Sequence, residues 1–207
     1  MKTIEQKRLF QSPYNGLIEC IYAKGRWSVF VEGYDQSSVY ITNLWREALR
    51  HLPRSFRATR ILMLGLGAGA AIKPLHQRFS SCTIEVIEWD SVMCELANTL
   101  TLFTSSLQPT VLLGDVADLL PTLTERYDLI ICDLFHGPTI PTVVESAWFN
   151  AQLARLLSPD GFFILNAFAR QRLIEHFDPL FDKHFSWKYK FNLLAAFQSH
   201  KGSRIST

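Results

Sequence analysis

The glycine segment Gly65-Leu66-Gly67-Ala68-Gly69 and three acids, Glu88, Asp115 and Asp133, are the residues whose types and spacing could do chemistry together. Gly65, Gly67 and Gly69 can adopt positive φ and bring bare backbone up to a ligand. The apolar run Ile61-Leu62-Met63-Leu64 precedes them, and a helix is expected from about Ala70. That order makes a nucleotide cradle, because a helix start offers unpaired N–H groups and the positive end of the dipole. The spacing Gly65-x-Gly67-x-x-Ala70 also satisfies the loose dinucleotide fingerprint, and a tight turn with no ligand reads the same way.

The three acids narrow the choice. Each follows a predicted strand. Glu88 lies 23 positions after Gly65, where a carboxylate can accept both ribose hydroxyls. Asp115, in Gly114-Asp115, can accept from an adenine amino group. Asp133, in Ile131-Cys132-Asp133, falls at the mouth over the glycine loop. Asp90 reads as the cap of the following helix instead. A nicotinamide enzyme needs the glycine turn and the first acid, but not the other two. An S-adenosyl-type cofactor is therefore favoured over NAD.

The elements that must position these residues alternate along the chain. Strands are predicted at residues 61–64, 83–88, 109–113, 128–132 and 162–166. Helical segments fall between them, at 90–100, after Gly114 through Leu120, at 145–157 and at 171–181. The Ser158-Pro159-Asp160-Gly161 stretch reads as a turn. Such alternation implies an α/β fold with a doubly wound, mostly parallel sheet, whose strand C-termini line one ligand-binding edge. Residues 185–190 and 193–197 would add an antiparallel closing pair. Ahead of this core, residues 17–23 and 27–32 read as a β-hairpin turned at Gly25, and 33–38 as a loop. Asn43 is expected to cap a helix that ends at Pro53. The expected organisation is an N-terminal hairpin and helix over 1–53, a nucleotide-binding catalytic domain over 54–198 and a mobile tail over 199–207.

Composition excludes several classes. With 48% hydrophobic and 19% charged residues, the 207-residue chain reads as an ordinary globular protein. A net charge of +2 gives no field that would make nucleic acid or a membrane surface the main partner. Arg54, Arg57 and Arg60 read as a solvated connector rather than a phosphate-binding patch. No apolar run is long enough to span a membrane, and the start lacks a signal-peptide core. Cys20, Cys82, Cys94 and Cys132 show no C-x-x-C spacing, so reduced thiols in a cytoplasmic protein are expected, with no metal bound.

With these residues in hand, the chain resembles the spermidine synthase (polyamine aminopropyltransferase) family, in a divergent branch within the S-adenosylmethionine-dependent methyltransferase fold. The likeness runs from Leu17 to Phe168. It rests on the hairpin, the Glu32-Gly33-x-x-Gln36 element, His51-Leu52-Pro53, the glycine loop and Val86-Ile87-Glu88-Trp89-Asp90. It continues through Gly114-Asp115, Tyr127 to Asp133, and Leu157-Ser158-Pro159-Asp160-Gly161. The resemblance implies that Gln36 touches the cofactor or its thioether product, Glu88 the ribose and Asp115 the adenine. It assigns Asp133 as the general base that takes a proton from an attacking amine. The implied cofactor is S-adenosylmethionine or its decarboxylated form, with a small-molecule acceptor. Relatives are oligomeric through N-terminal strands, so a homodimer is an expectation; Ile18, Ile21, Val29 and Val31 would supply that surface or cover the sheet's own core.

The departures bear on the acceptor. Ala68 stands where the family's glycine loop has an aspartate, and His136 where a second aspartate follows the base. Ile41-Thr42 replaces an Asp-Glu pair, and Trp45 a tyrosine. Losing one partner of a buried ammonium costs about 3–5 kcal/mol, roughly two to three decades or more in affinity. The expected acceptor is therefore not an ordinary diamine. Ala68 would leave room for the carboxylate of intact S-adenosylmethionine and so for methyl transfer. His136, of the residue type that moves protons near neutral pH, shares the base's duty or faces solvent. Tyr40, Trp45 and Phe135 wall the acceptor pocket or simply pack. A true polyamine aminopropyltransferase and a non-catalytic nucleotide-binding module are the alternatives.

Overall fold

The computed structural model describes residues 5–100 and 108–199. Seven strands form the main sheet in the order β10-β11-β9-β8-β5-β6-β7. They are β5 (Arg60–Leu64), β6 (Thr83–Glu88), β7 (Thr110–Leu113), β8 (Tyr127–Cys132), β9 (Leu157–Asn166), β10 (Phe181–Tyr189) and β11 (Asn192–Ser199). From β9 across to β7 every pairing is parallel, whereas β11 runs antiparallel to both β9 and β10. The chain leaves β5 towards β6 and β7, then returns to β8 on the other side. The β5–β8 gap is thus the switch point of the sheet, where α/β folds open a crevice.

The strands read as continuous apolar runs because both faces are covered. In β5, Ile61 and Met63 face one core while Leu62 and Leu64 face the other; Leu129 and Ile131 of β8 alternate with Ile130 and Cys132 in the same way. The first core is closed by α1 (Val39–Arg50) and α2 (Ile72–Arg78), and Ala97 of α3 (Ser91–Thr99) reaches it. The second is closed by α4 (Val116–Leu119), α5 (Ala147–Leu156) and α6 (Gln171–Glu175). Helix α1 buries Ile41, Leu44, Trp45, Ala48 and Leu49, the spacing of one helical face, so it belongs to the main sheet's cover rather than to the N-terminal strands.

Those strands form their own antiparallel sheet, β1 (Gln6–Ser12), β2 (Gly16–Ala23), β3 (Arg26–Val31) and β4 (Tyr34–Ser37). Ile18, Val29 and Val31 are buried inside this chain against Ala68, Met93 and Leu96. They cover the sheet's own core. No helix among the described residues is long and apolar enough to cross a membrane.

Four local expectations need correction. Residues 33–38 are not a loop but the turn and strand of a second hairpin, because Glu32 and Gly33 both hold positive φ (50° and 80°) and so close a two-residue turn. Ser38, not Asn43, caps α1, its Oγ accepting from Tyr40 N at 3.0 Å. The helix begun at Gln171 stops at Glu175, since Pro179 cannot continue it, and Phe181 already pairs in β10. Residues 158–161 do not precede the strand but bulge from within it. The β8–β9 register jumps from Tyr127↔Leu157 to Leu129↔Phe162, with Asp160 at φ 61°. Of the expected tail, Ser199 ends β11 and 200–207 lie outside the described residues.

Candidate active site

Backbone hydrogen bonds carry the strand ladders one residue past their ends and set the tips in register. Gly65 N donates to Ile87 O, Asp133 N to Leu64 O and Gly114 N to Glu88 O, each at 2.9 Å. The tips of β5, β6, β7 and β8 therefore open on one cavity of about 350 Å³, within the range of small-ligand sites. Gln36, Gly65, Gly67, Glu88, Asp115 and Asp133 all line it.

The glycines are there for close approach. Gly65 holds φ 92°, and a Cβ on it would stand 2.4 Å from the carbonyl oxygen of Asp133. A Cβ on Gly67 (φ 53°) would come within 3.0 Å of the Gln36 carbonyl oxygen. Two glycines thus let β4 and the β8 tip close on the loop from either side. Gly69 also has positive φ (87°), but it serves the turn into α2 and does not line the cavity.

Glu88 ties the loop to the next helix. Its Oε2 accepts from Leu66 N at 2.8 Å and its Oε1 from Asp90 N at 2.9 Å. Burial raises its pKa despite these donors. Each oxygen keeps a lone pair for a further donor such as a ribose hydroxyl. Asp115 is exposed and caps α4 through Ala117 N at 2.7 Å. Asp90 caps α3 as expected, accepting from Val92 N, and its other oxygen receives Ser12 Oγ and Asn15 Nδ2, both at 2.6 Å. Those bonds fasten the β1–β2 turn to the β6 tip, where Tyr14 stacks on Trp89 and Asn15 reaches the cavity wall.

Asp133 has a different setting. Asn166 Nδ2 donates to its Oδ1 at 2.9 Å and Trp45 Nε1 to its Oδ2 at 3.2 Å. Both donors are neutral, so burial prevails and pushes its pKa up to about 6. Behind Asn166 the donors continue in one direction. Asn192 Nδ2 donates to Asn166 Oδ1 at 3.0 Å, and the Tyr40 hydroxyl to Asn192 Oδ1 at 2.5 Å. A carboxylate poised near 6 and facing a cavity can take a proton from a bound group near neutral pH.

His136 is not brought to this cavity. It is exposed, its Nε2 lies 2.8 Å from Tyr14 O, and its ring meets Trp89 edge-on. Ala68 is fully buried beneath the N-terminal sheet, so it opens no room for a ligand carboxylate. Trp45 underpins Asp133 from the core rather than walling a pocket, while Tyr40 and Phe135 do line the cavity. Sequence reasoning missed Asp35, Asn166 and Asn192. Asn166 ends the strand beside Asp133, the same signal that marked the three acids; Asn192, in a hairpin corner, gave none.

Residues 61–161 match the family described as "Methyltransferase domain". The polyamine aminopropyltransferase of Vibrio vulnificus is 27% identical over 65% of this chain and 46% of its own length. A solved structure of a probable spermidine synthase from Corynebacterium glutamicum superposes with a TM-score of 0.77 at 16% identity, covering 93% of this chain and 80% of that one. The chain is similar to spermidine synthases and has the fold of S-adenosylmethionine-dependent methyltransferases. Human methyltransferase-like protein 13, solved in complex with SAH, shares that fold (TM-score 0.59, 23% identity, 81% of this chain and 83% of that one). The chain spans less than half the length of the curated aminopropyltransferase it matches. Among its described residues no group of His, Cys, Asp or Glu is placed to hold a metal.

Proposed function

We propose that this protein is a transferase that moves an alkyl group from an S-adenosyl sulfonium to an amine. The observation that carries the reading is the placement of Asp133 on the same cavity as Glu88 and Asp115, across the switch point from them. Glu88 is the ribose acceptor, Asp115 faces the base, and Gln36 and the Gly65–Gly67 backbone flank the sulfur. The bound sulfonium supplies a carbon open to direct displacement, with a neutral thioether as leaving group. The chain's task is to hold the amine in line, exclude water and accept its proton at Asp133. Asn166 and Trp45 keep that carboxylate aimed at the cavity.

Four carboxylates, Asp35, Glu88, Asp115 and Asp133, line the cavity, and no Lys, Arg or His is among the described lining residues. A ligand carrying its own carboxylate would be repelled there. This favours the decarboxylated cofactor and aminopropyl transfer over methyl transfer. The family's Asp-Glu pair remains absent, with Ile41 on the cavity wall in its place, so the acceptor is proposed to differ from an ordinary diamine. Four free cysteines, three of them buried, suit a reducing compartment, and the cytoplasm is the proposed location.

The test is mass-spectrometric detection of the thioether product. Purified protein is incubated with each cofactor form and a panel of amines. Methylthioadenosine from the decarboxylated form supports the reading; S-adenosylhomocysteine from the intact form would make it a methyltransferase; neither product with any amine would overturn it.

A further inference from the structure

Three phenylalanine rings stand at the Asp133 end of the cavity in settings that the fold's own packing does not explain. Phe135 and Phe168 come two residues after Asp133 and Asn166, Phe191 just before Asn192, and all three line the cavity. Phe168 holds φ 50°, a left-handed conformation unfavourable for a bulky residue. Its N–H donates to Asn166 Oδ1 at 3.2 Å and its carbonyl accepts from Leu193 N, so the strained backbone is fixed from both sides. Strain of this kind persists where the place of a side chain matters to a site. The Phe135 ring meets that of Phe168 edge-on, with centroids 6.4 Å apart.

Phe191 occupies a position that chain geometry gives to other residues. Tyr189 pairs with Asn192, so Lys190 (φ 52°) and Phe191 make the two-residue turn of the β10–β11 hairpin. Such turns favour Gly, Asn and Asp. Here the turn carries a phenylalanine that is 75% exposed and gains little from the core, yet borders the cavity. With Ile41 it extends the apolar wall begun by Phe135 and Phe168.

Charge at this end points the same way. Of the lining acids other than Asp133, Glu88 and Asp115 stand at the tips of β6 and β7, across β5. Asp35 is spent on the fold: its Oδ2 accepts from Ser38 Oγ, the Ser37 backbone also donates to the carboxyl, and its Oδ1 is buried. The Lys190 ammonium lies 5.1 Å from the centre of the Tyr40 ring, so a positive charge already stands beside this wall. A second ammonium on the acceptor would meet apolar surface and a like charge.

We infer that the acceptor is a monoamine whose alkyl or aryl body packs on Phe135, Phe168 and Phe191 while its amino group meets Asp133. The inference rests on the transferase reading for the part played by Asp133 and adds the class of amine. Phe191 and Phe168 are then specificity-determining residues, in contact with the apolar body and not with the reacting nitrogen.

Calorimetric titration of propylamine, pentylamine, hexylamine and 1,4-diaminobutane, each with and without saturating methylthioadenosine, tests it. Each methylene moved from water to an apolar wall strengthens binding about fourfold, so hexylamine is expected to bind at least tenfold more tightly than propylamine. Pentylamine is expected to exceed 1,4-diaminobutane, which has the same number of heavy atoms, by tenfold or more. Phe191→Ala, at an exposed position, and Phe168→Gly, which relieves the positive φ, should each weaken hexylamine threefold or more and leave propylamine within about twofold. Equal affinities along the series, tighter binding of the diamine, hexylamine binding unchanged in both variants, or no binding of any amine would overturn the inference. Thioether product is measured separately. The predicted affinities without product would support the apolar amine site and remove the transferase reading alone.

Discussion

Gly65 and Asp133 meet backbone to backbone: a single Cβ on the glycine would lie 2.4 Å from the aspartate's carbonyl oxygen. The nucleotide loop and the proposed base are therefore held as one unit, and the distance between them is fixed by the absence of a side chain.

Gly65→Ala should disturb both. The clash and the φ of 92° together are expected to cost about 2–4 kcal/mol. A thermal melt should fall by roughly 5–15 °C for a domain of this size. Turnover should fall further than stability, because Asp133 is displaced. A variant with the wild-type melt and activity would show that the loop and the base are not coupled.

Asp133→Asn keeps the shape and removes the base. Product formation should drop about 10²–10⁴-fold. Methylthioadenosine affinity, measured by titration, should change only a few-fold. Undiminished turnover would leave Asp133 without a catalytic part.

The same carboxyl sets the pH dependence. Activity should rise with pH through about 6, as Asp133 loses its proton. Stability should move the other way. The folded pKa lies above the ordinary 3.8, so between about 4 and 6 the folded state binds more protons than the unfolded one. This group's contribution to stability is therefore lost as pH rises through that window. Paired rate and melting profiles check both signs.

Asn166→Ala removes a donor that favours the ionised form. The acid limb of the rate profile should shift to higher pH, with cofactor affinity little changed. A loss of rate without that shift would mean that Asn166 only fills space.

Glu88→Ala should weaken nucleoside binding about ten- to a hundredfold through lost charged hydrogen bonds, read by titration. It should also loosen the loop, since Leu66 N and Asp90 N lose their acceptor.

The sheet and the strand-end residues that line the cavity were legible in the sequence for a physical reason. A strand buried on both faces must be apolar throughout, and an acid or glycine at its end stands out against that run, as Gly65, Glu88 and Asp133 do. Positions outside such runs were not legible in this way. Asp35 sits in a short strand whose hairpin turn uses Glu32 at positive φ, a residue that gives no turn signal, so it passed as a loop acid. His136 looked like a neighbour of the base by sequence, but the chain beyond Asp133 turns it towards Tyr14. Ala68 looked like an opening in the site because the resemblance puts an aspartate there, yet here the position faces the N-terminal sheet.

A crystal structure of the protein soaked with methylthioadenosine tests the adenosyl site most directly. The ribose hydroxyls should lie on Glu88, the base beside Asp115, and the sulfur between Gly65 and Asp133. A nucleoside bound elsewhere at saturating concentration, or lying with its ribose at Asp133 and its sulfur at Asp115, would contradict it.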